Sequence, residues 1–466
     1  MAMTDAEDTV APSARPGLAA RLRARAKTLL TGENGAAQRM AGMAFAIRVA
    51  SAGVTFLSQI ALARWMGGFD FGIYVSVWTW LLLAGDTVHL GIPLVAQRFI
   101  PEYTHHNQLD ALRGFLIGSR WITFGLATVF ALFGAALITA FSSSLDPHTV
   151  LPFYLACVSL PFFTISLMCD GLARSYNWIV LALGPHTLLR PVVLFALMAL
   201  AHAAGFPIDA TTTMIALTLA IWSTALLQLV LVDRQLKSVV PPGPRKYELR
   251  RWFATSLPII LVWSFYTMLC YADVLVLQQF RPPQEVGHYY AAAKTLMLVG
   301  FIHFSVSAAV AHRFSALHVA GDRAELAAFV TKSVRWTFWP SLAATAVMLA
   351  LGKPMLWLFG PDFVAGYVFM LILSVGLLAR AAVGPAERLL NMLNQQRICA
   401  VIYATAFAVN AGLCVALAPE YGGTGAAFAT STAIVLESAL LFVVAKSRLG
   451  LHLFFWGGKV SRAAAA

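Results

Sequence analysis

The chain has 466 residues, of which 59% are apolar and only 12% charged, with a mean hydropathy of +0.74. Soluble domains carry about 25% charged residues and disordered chains are poor in apolar ones, so both classes are excluded. The net charge of +12 and pI near 9.7 resemble those of a nucleic-acid binder. On so apolar a background they fit a polytopic membrane protein better, because cytoplasmic loops collect Lys and Arg.

Residues 1–40 are basic and lack the apolar core and cleavage site of a signal peptide. Leu18, Leu22, Ala26 and Leu29 share one helical face, with Arg21, Arg23, Arg25 and Lys27 around it. This reads either as an amphipathic helix on an anionic leaflet or as a solvated tail.

A helix needs about 20 apolar residues to cross a bilayer. The first six such runs are 41–65, 72–97, 114–141, 150–173, 177–204 and 211–233. A polar linker, 234–252, contains Pro241-Pro242-Gly243-Pro244. Six more runs follow at 253–280, 286–312, 328–351, 363–386, 398–418 and 424–446. The tail 447–466 has an apolar stretch, Leu449–Trp456, expected at the interface. The runs are continuous, not alternating, so they are helices and not barrel strands. The expected fold is an all-α polytopic membrane protein with twelve transmembrane helices in two pseudosymmetric six-helix bundles, 41–233 and 253–446.

Placing the N-terminus in the cytoplasm puts most of the 33 Lys and Arg inside and leaves only Arg64, Arg281 and Lys353 outside. Both termini are then expected to be cytoplasmic.

The halves repeat at a constant offset of 215. Phe71-Gly72-Ile73-Tyr74 matches Val286-Gly287-His288-Tyr289, Arg98-Phe99 matches Arg313-Phe314, and Arg120-Trp121 matches Arg335-Trp336. An even number of helices per half makes this a parallel repeat, an arrangement suited to alternating access around a cavity between the bundles.

Leu62-Ala63-Arg64-Trp65-Met66-Gly67, then Phe71-Gly72-x-Tyr74, Gly91 and Arg98-Phe99, resembles the first-repeat signature of polysaccharide repeat-unit flippases. These belong to the multidrug/oligosaccharidyl-lipid/polysaccharide transporter superfamily. Asp273 through Leu277, with Val286-Gly287-x-Tyr289-x-x-Ala292, is similar to the second-repeat counterpart. Met66 stands where leucine is more usual. The resemblance covers about residues 40–446. It implies translocation of an undecaprenyl-diphosphate-linked oligosaccharide to the outer leaflet of a bacterial inner membrane, feeding O-antigen, capsule or exopolysaccharide assembly. A polysaccharide polymerase and export machinery are the implied partners. Twelve helices argue against the branch that flips the peptidoglycan precursor, which typically has fourteen.

Charges at membrane depth are costly and mark sites. Arg48, Arg190, Lys294 and Arg380 are candidates for a cavity that neutralises a diphosphate, since the guanidinium fork pairs with phosphate oxygens. Arg48 and Arg380 can instead snorkel. Asp86, Asp273 and Glu437 are candidates for ion coupling or pairing. By depth Asp86 matches Arg48 and Asp273 matches Lys294, while Glu437 has no matching cation. Asp170 is expected at the inner interface. His89, His186 and His303 read as packing residues before proton relays. Gly184-Pro185 and Pro191 around Arg190 mark a possible hinge, with static kinks as the alternative.

The five cysteines show no C-x-x-C pair and read as buried apolar residues. No Walker A, H-E-x-x-H or G-x-S-x-G motif occurs, so neither ATPase, metal nor cofactor is expected. Two diphosphate charges leaving a negative interior uncompensated would gain about 4.6 kcal/mol per 100 mV. The alternative functions are a cation-coupled multidrug exporter of the same superfamily and a membrane glycosyltransferase or polymer ligase. The short outer loops disfavour the last.

Overall fold

The computed structural model describes residues 35–456 except 145, 322 and 394. The basic segment before residue 35 and the tail beyond 456 lie outside the described residues. Among the described residues nine helices are long and apolar enough to cross a membrane, ten if the bent pair Arg323–Ala350 and Gly352–Phe359 is one span. Two of these are double rods. Gly35–Val88 breaks at Gly67 and Gln396–Leu449 at Gly422. Both glycines have positive φ (77° and 57°), which L side chains rarely adopt. Divided there, the spans become twelve.

In chain order these are α1 (35–66), α2 (68–88), α3 (Leu109–Phe141), α4 (Pro147–Ser175), α5 (Ile179–Ala203) and α6 (Ala210–Val239). The second bundle has α7 (Leu249–Phe280), α8 (Pro283–Val319), α9 (Arg323–Ala350), α10 (Tyr367–Val383), α11 (396–421) and α12 (423–449). The starts of α2 and α8 keep the offset of 215.

Several boundaries differ from the hydropathy reading for local reasons. The run 72–97 is interrupted at Leu90-Gly91, both with positive φ, and resumes as Ile92–His105. The run 363–386 opens with a 3₁₀ turn, Pro361–Gly366, and stops at Gly384 (φ 59°). The linker is shorter, because α6 runs to Val239 and α7 starts at Leu249. It lies along the first bundle and does not hang free. Lys246 N donates to Asp110 O at 2.8 Å and Arg113 Nε to Pro241 O at 2.8 Å. Trp252 is fully buried against Phe115 and donates from Nε1 to Tyr103 Oη at 3.0 Å. The first turn of α7 is therefore packed on the first bundle.

The apolar stretch after α12 also packs inward. Leu451 and Leu453 are buried, and Phe455 stacks on Phe338 of α9 at 3.7 Å. Of the cysteines, Cys169, Cys399 and Cys414 are buried, Cys157 is half-buried and Cys270 is exposed.

Candidate functional site

The repeated glycine-tyrosine motifs meet where the bundles join. α2 begins with Gly68 to Gly72 and α8 with Pro283 to Gly287. A Cβ on Gly72 would lie 1.7 Å from the Pro283 carbonyl oxygen. One on Gly287 would lie 2.9 Å from Gly68 O and 3.4 Å from Gly72 Cα. Such close backbone approach needs glycine. Around this contact Phe71 packs edge-on against Tyr290, Phe359 and Phe363. Arg64 donates to Leu358 O at 3.4 Å and covers the Trp357 ring at 4.8 Å. The bundles are thus closed at the end carrying Gly67.

Sequence comparison missed one element of the motif. Asp70 stands two residues before Gly72, and Glu285 two before Gly287. Asp70 Oδ1 accepts from Ala210 N, at the start of α6, at 3.0 Å. Glu285 Oε1 accepts from Gly423 N, at the start of α12, at 2.7 Å. Each acid satisfies an orphan N–H and the positive dipole end of the last helix in its bundle. The signal was available, since an acid recurs at the offset of 215. Two other repeat residues also have matching roles. Arg120 reaches Asp233 on α6 at 3.4 Å, and Arg335 donates to Phe455 O beyond α12 at 3.3 Å. Arg98 is exposed at the opposite, basic end.

Towards that end a two-lobed cavity lies between the bundles. One lobe, of about 500 Å³, is bounded by α1, α2, α5, α6, α7 and α8. The other, of about 470 Å³, lies among α7 to α12 and is closed by α1. Ser51, Ala52, Met297 and Phe301 line both, so the lobes are neighbours that share a wall. All four expected cations line this space. Arg190 and Lys294 face the first lobe, Arg48 and Arg380 the second.

Arg190 sits over two aromatic faces, Trp78 at 5.3 Å and Phe163 at 5.0 Å. It follows a π-helical turn, Gly184–Leu189. Pro185 and Pro191 have no N–H to donate, so the hydrogen-bond ladder is re-registered here. The expected hinge is thus an irregular turn that sets the direction of Arg190. Lys294 Nζ lies 4.9 Å from the Tyr290 ring centre. Neither cation has a carboxylate in salt-bridge contact among the described residues, and no Asp or Glu lines the first lobe. His186 Nδ1, also on this lobe, is buried without a hydrogen-bond partner among the described residues.

The pairings expected from depth are not the ones formed. Arg48 does not pair with Asp86. It lies over Phe304 at 4.8 Å, while Asp86 interacts through space with Arg190. Lys294 does not pair with Asp273. The Asp273 carboxylate accepts from Tyr289 Oη at 2.6 Å, Thr430 Oγ1 at 3.2 Å and its neighbour Val274 N at 2.8 Å. Asn410 Oδ1, 3.4 Å from Thr430 Oγ1, extends this buried cluster. Glu437 has a partner after all, Arg380 Nη2 at 2.6 Å. Depth counting failed here because it does not show which helix faces meet. Asp170 is held by Arg174 at 2.7 Å, and His89 Nδ1 accepts from Gly91 N at 3.1 Å. Arg388 and Glu387, not singled out from the sequence, also line the second lobe.

The MatE family model matches residues 258–416. No curated relative matches the chain by sequence. Among solved structures, an inward-facing multidrug resistance MATE family transporter of the MOP superfamily is 13% identical, with a TM-score of 0.73 over 87% of this chain and 98% of that one. The lipid II flippase MurJ, in an inward closed conformation, is 14% identical, with a TM-score of 0.67 over 86% and 87%. A MOP superfamily transporter from Pyrococcus furiosus is 11% identical, with a TM-score of 0.64 over 91% and 97%. The fold is therefore the one shared by these MOP superfamily structures, and the apolar spans among the described residues are those of a multi-pass membrane protein.

Proposed function

We propose that this protein translocates a diphosphate-linked lipid oligosaccharide across a bacterial inner membrane by alternating access. The observation that carries the reading is the first lobe, where Arg190 and Lys294 face a cavity that no carboxylate among the described residues lines. A cation at membrane depth with no carboxylate in direct contact is costly unless an anion compensates it. Here Trp78 and Phe163 hold the guanidinium by cation–π contact while its donors remain available. A diphosphate offers the oxygens that the fork takes in pairs.

In this scheme the headgroup enters from the basic, cytoplasmic side and shields the cations from each other. Opening at the Gly67 end requires Gly72 and Gly287 to separate, and the intrabundle bonds of Asp70 and Glu285 make each bundle move as a unit. The buried Asp273 carboxylate, with Tyr289, Thr430 and Asn410, is the proposed proton or sodium site that couples the cycle to a gradient. The membrane potential also favours outward movement of a diphosphate, by about 2.3 kcal/mol per uncompensated charge per 100 mV. The exported unit would then reach a polysaccharide polymerase.

The multidrug exporter remains a second reading. The MatE match favours it, as do Glu387 and Glu437 in the second lobe, which offer carboxylates to a cationic drug. Replacing Arg190 or Lys294 by Ala separates the two. Under the flippase reading polysaccharide export is lost, lipid-linked units accumulate facing inward, and the protein stays in the membrane. Unimpaired export with either variant would overturn it.

A further inference from the structure

The two lobes differ in charge, and the difference assigns them different parts of one ligand. The first lobe presents Arg190 and Lys294 with no Asp or Glu in its lining among the described residues. The second presents Arg48, Arg380 and Arg388 together with Glu387 and Glu437. Its deepest cation is already neutralised, because Arg380 Nη2 lies 2.6 Å from Glu437 Oε2 and the Glu437 side chain is 4% exposed. A diphosphate here would face two carboxylates at close quarters and compete with Glu437 for Arg380.

Sugar hydroxyls have the opposite requirement. Each donates one hydrogen bond and accepts others, so a ring of hydroxyls is satisfied by carboxylate acceptors and guanidinium donors side by side. The second lobe supplies both, with unmet capacity. Arg380 Nε, His303 Nδ1 and Ser307 Oγ are buried and have no hydrogen-bond partner among the described residues. All three residues line the lobe. Such orphaned polar atoms are costly in a sealed interior and call for a polar occupant. The aromatic rings of Tyr266 and Tyr403, edge to face at 5.3 Å, supply the apolar surface that the C–H faces of a sugar ring need. The volume of about 470 Å³ has room for a short oligosaccharide. The shared wall of Ser51, Ala52, Met297 and Phe301 places the two lobes side by side, within reach of one extended ligand.

We propose that the second lobe is the glycan subsite, which holds the sugars while the first holds the diphosphate, an assignment that rests on the flippase reading. Glu437, paired to Arg380, and Glu387 accept sugar hydroxyls. The walls of the second lobe then determine which repeat unit is carried.

The test uses the purified full-length protein and two probes, farnesyl diphosphate and farnesyl diphosphate bearing a neutral trisaccharide, with binding followed by titration calorimetry. The wild type is expected to bind the trisaccharide probe at least about tenfold more tightly, the equivalent of one or two added charge-assisted hydrogen bonds. Glu437→Gln and Glu387→Gln should each shrink that margin, and Tyr403→Phe, which keeps the ring, should preserve most of it. Arg190→Ala should weaken both probes in proportion. Equal binding of the two probes by the wild type would overturn the glycan subsite while leaving the diphosphate site intact. So would a gain in farnesyl diphosphate affinity on removing either carboxylate, because the second lobe would then be holding the phosphates. If neither probe binds, the flippase reading falls and this assignment falls with it.

Discussion

Gly287 rests against Gly72, its counterpart in the first half of the chain, with no room for a side chain between them. The two copies of one motif therefore form the closure at one end of the cavity. Their reciprocal contact is what a pseudo-twofold axis between the bundles requires.

A methyl group at Gly72 has to displace the Pro283 carbonyl, which is backbone and cannot rotate away. Gly72→Ala should cost the closed state on the order of 1–3 kcal/mol, enough to shift the open fraction by about tenfold. Thr55→Cys, in the first lobe, then becomes reactive to a membrane-impermeant maleimide added from the Gly67 side. Gly287→Ala should act in the same direction and more weakly, since its nearest approach is 2.9 Å. Unchanged labelling in both would mean that the glycine contact does not seal the cavity.

Arg190 combines a bidentate fork with stacking on Trp78 and Phe163. Arg190→Lys keeps the charge but loses both features. Transport should fall by about tenfold or more, as expected for one lost charge-assisted hydrogen bond, and Arg190→Ala should fall further. Equal activity of Lys and Arg here would reduce the role of the residue to a point charge.

Asp273 is fixed by three hydrogen bonds, the shortest of them from Tyr289. Asp273→Asn should leave the protein in the membrane and make transport insensitive to proton or sodium gradients. Tyr289→Phe should keep gradient dependence with a shifted ion requirement. If Asp273→Asn retains the full gradient response, the coupling site lies elsewhere.

The docked linker makes a pH prediction. Lys246 holds the Glu248 carboxyl down at about 2, with Tyr103 and Arg251 adding to the effect against its partial burial. A folded-state value depressed from 4.5 stabilises the fold fully above pH 4.5. That stability drains away as the pH falls from 4.5 towards 2. The difference in thermal unfolding temperature between wild type and Glu248→Gln should therefore be constant from pH 7 to 5 and shrink below that. A difference that grows on acidification would contradict the linkage.

Much of this architecture was legible in the sequence because bilayer thickness dictates run length and the repeat keeps its spacing. The breaks at Gly67 and Gly422 were legible as glycines between apolar runs. What stayed hidden was the rotation of each helix about its axis. Hydropathy places Glu437 and Arg380 in the membrane but does not say that α10 and α12 turn them towards each other. The same limit produced the expected Arg48–Asp86 and Lys294–Asp273 pairs. The caps from Asp70 and Glu285 were visible as a repeated acid, but their meaning needed the start of α6 and of α12 in space. The docking of Trp252 on the first bundle was hidden because a single aromatic beside a basic linker carries no periodic signal.

Whether the cavity carries a diphosphate-linked lipid can be measured directly. The most direct measurement is flipping by the purified protein in proteoliposomes, using a fluorescent polyprenyl-diphosphate saccharide quenched from outside, with ethidium transport measured in parallel. Under the flippase reading the lipid moves only with the protein present, the movement is lost in Arg190→Ala, and ethidium is not transported. Ethidium transport driven by a cation gradient, with the lipid left in its original leaflet, would contradict it.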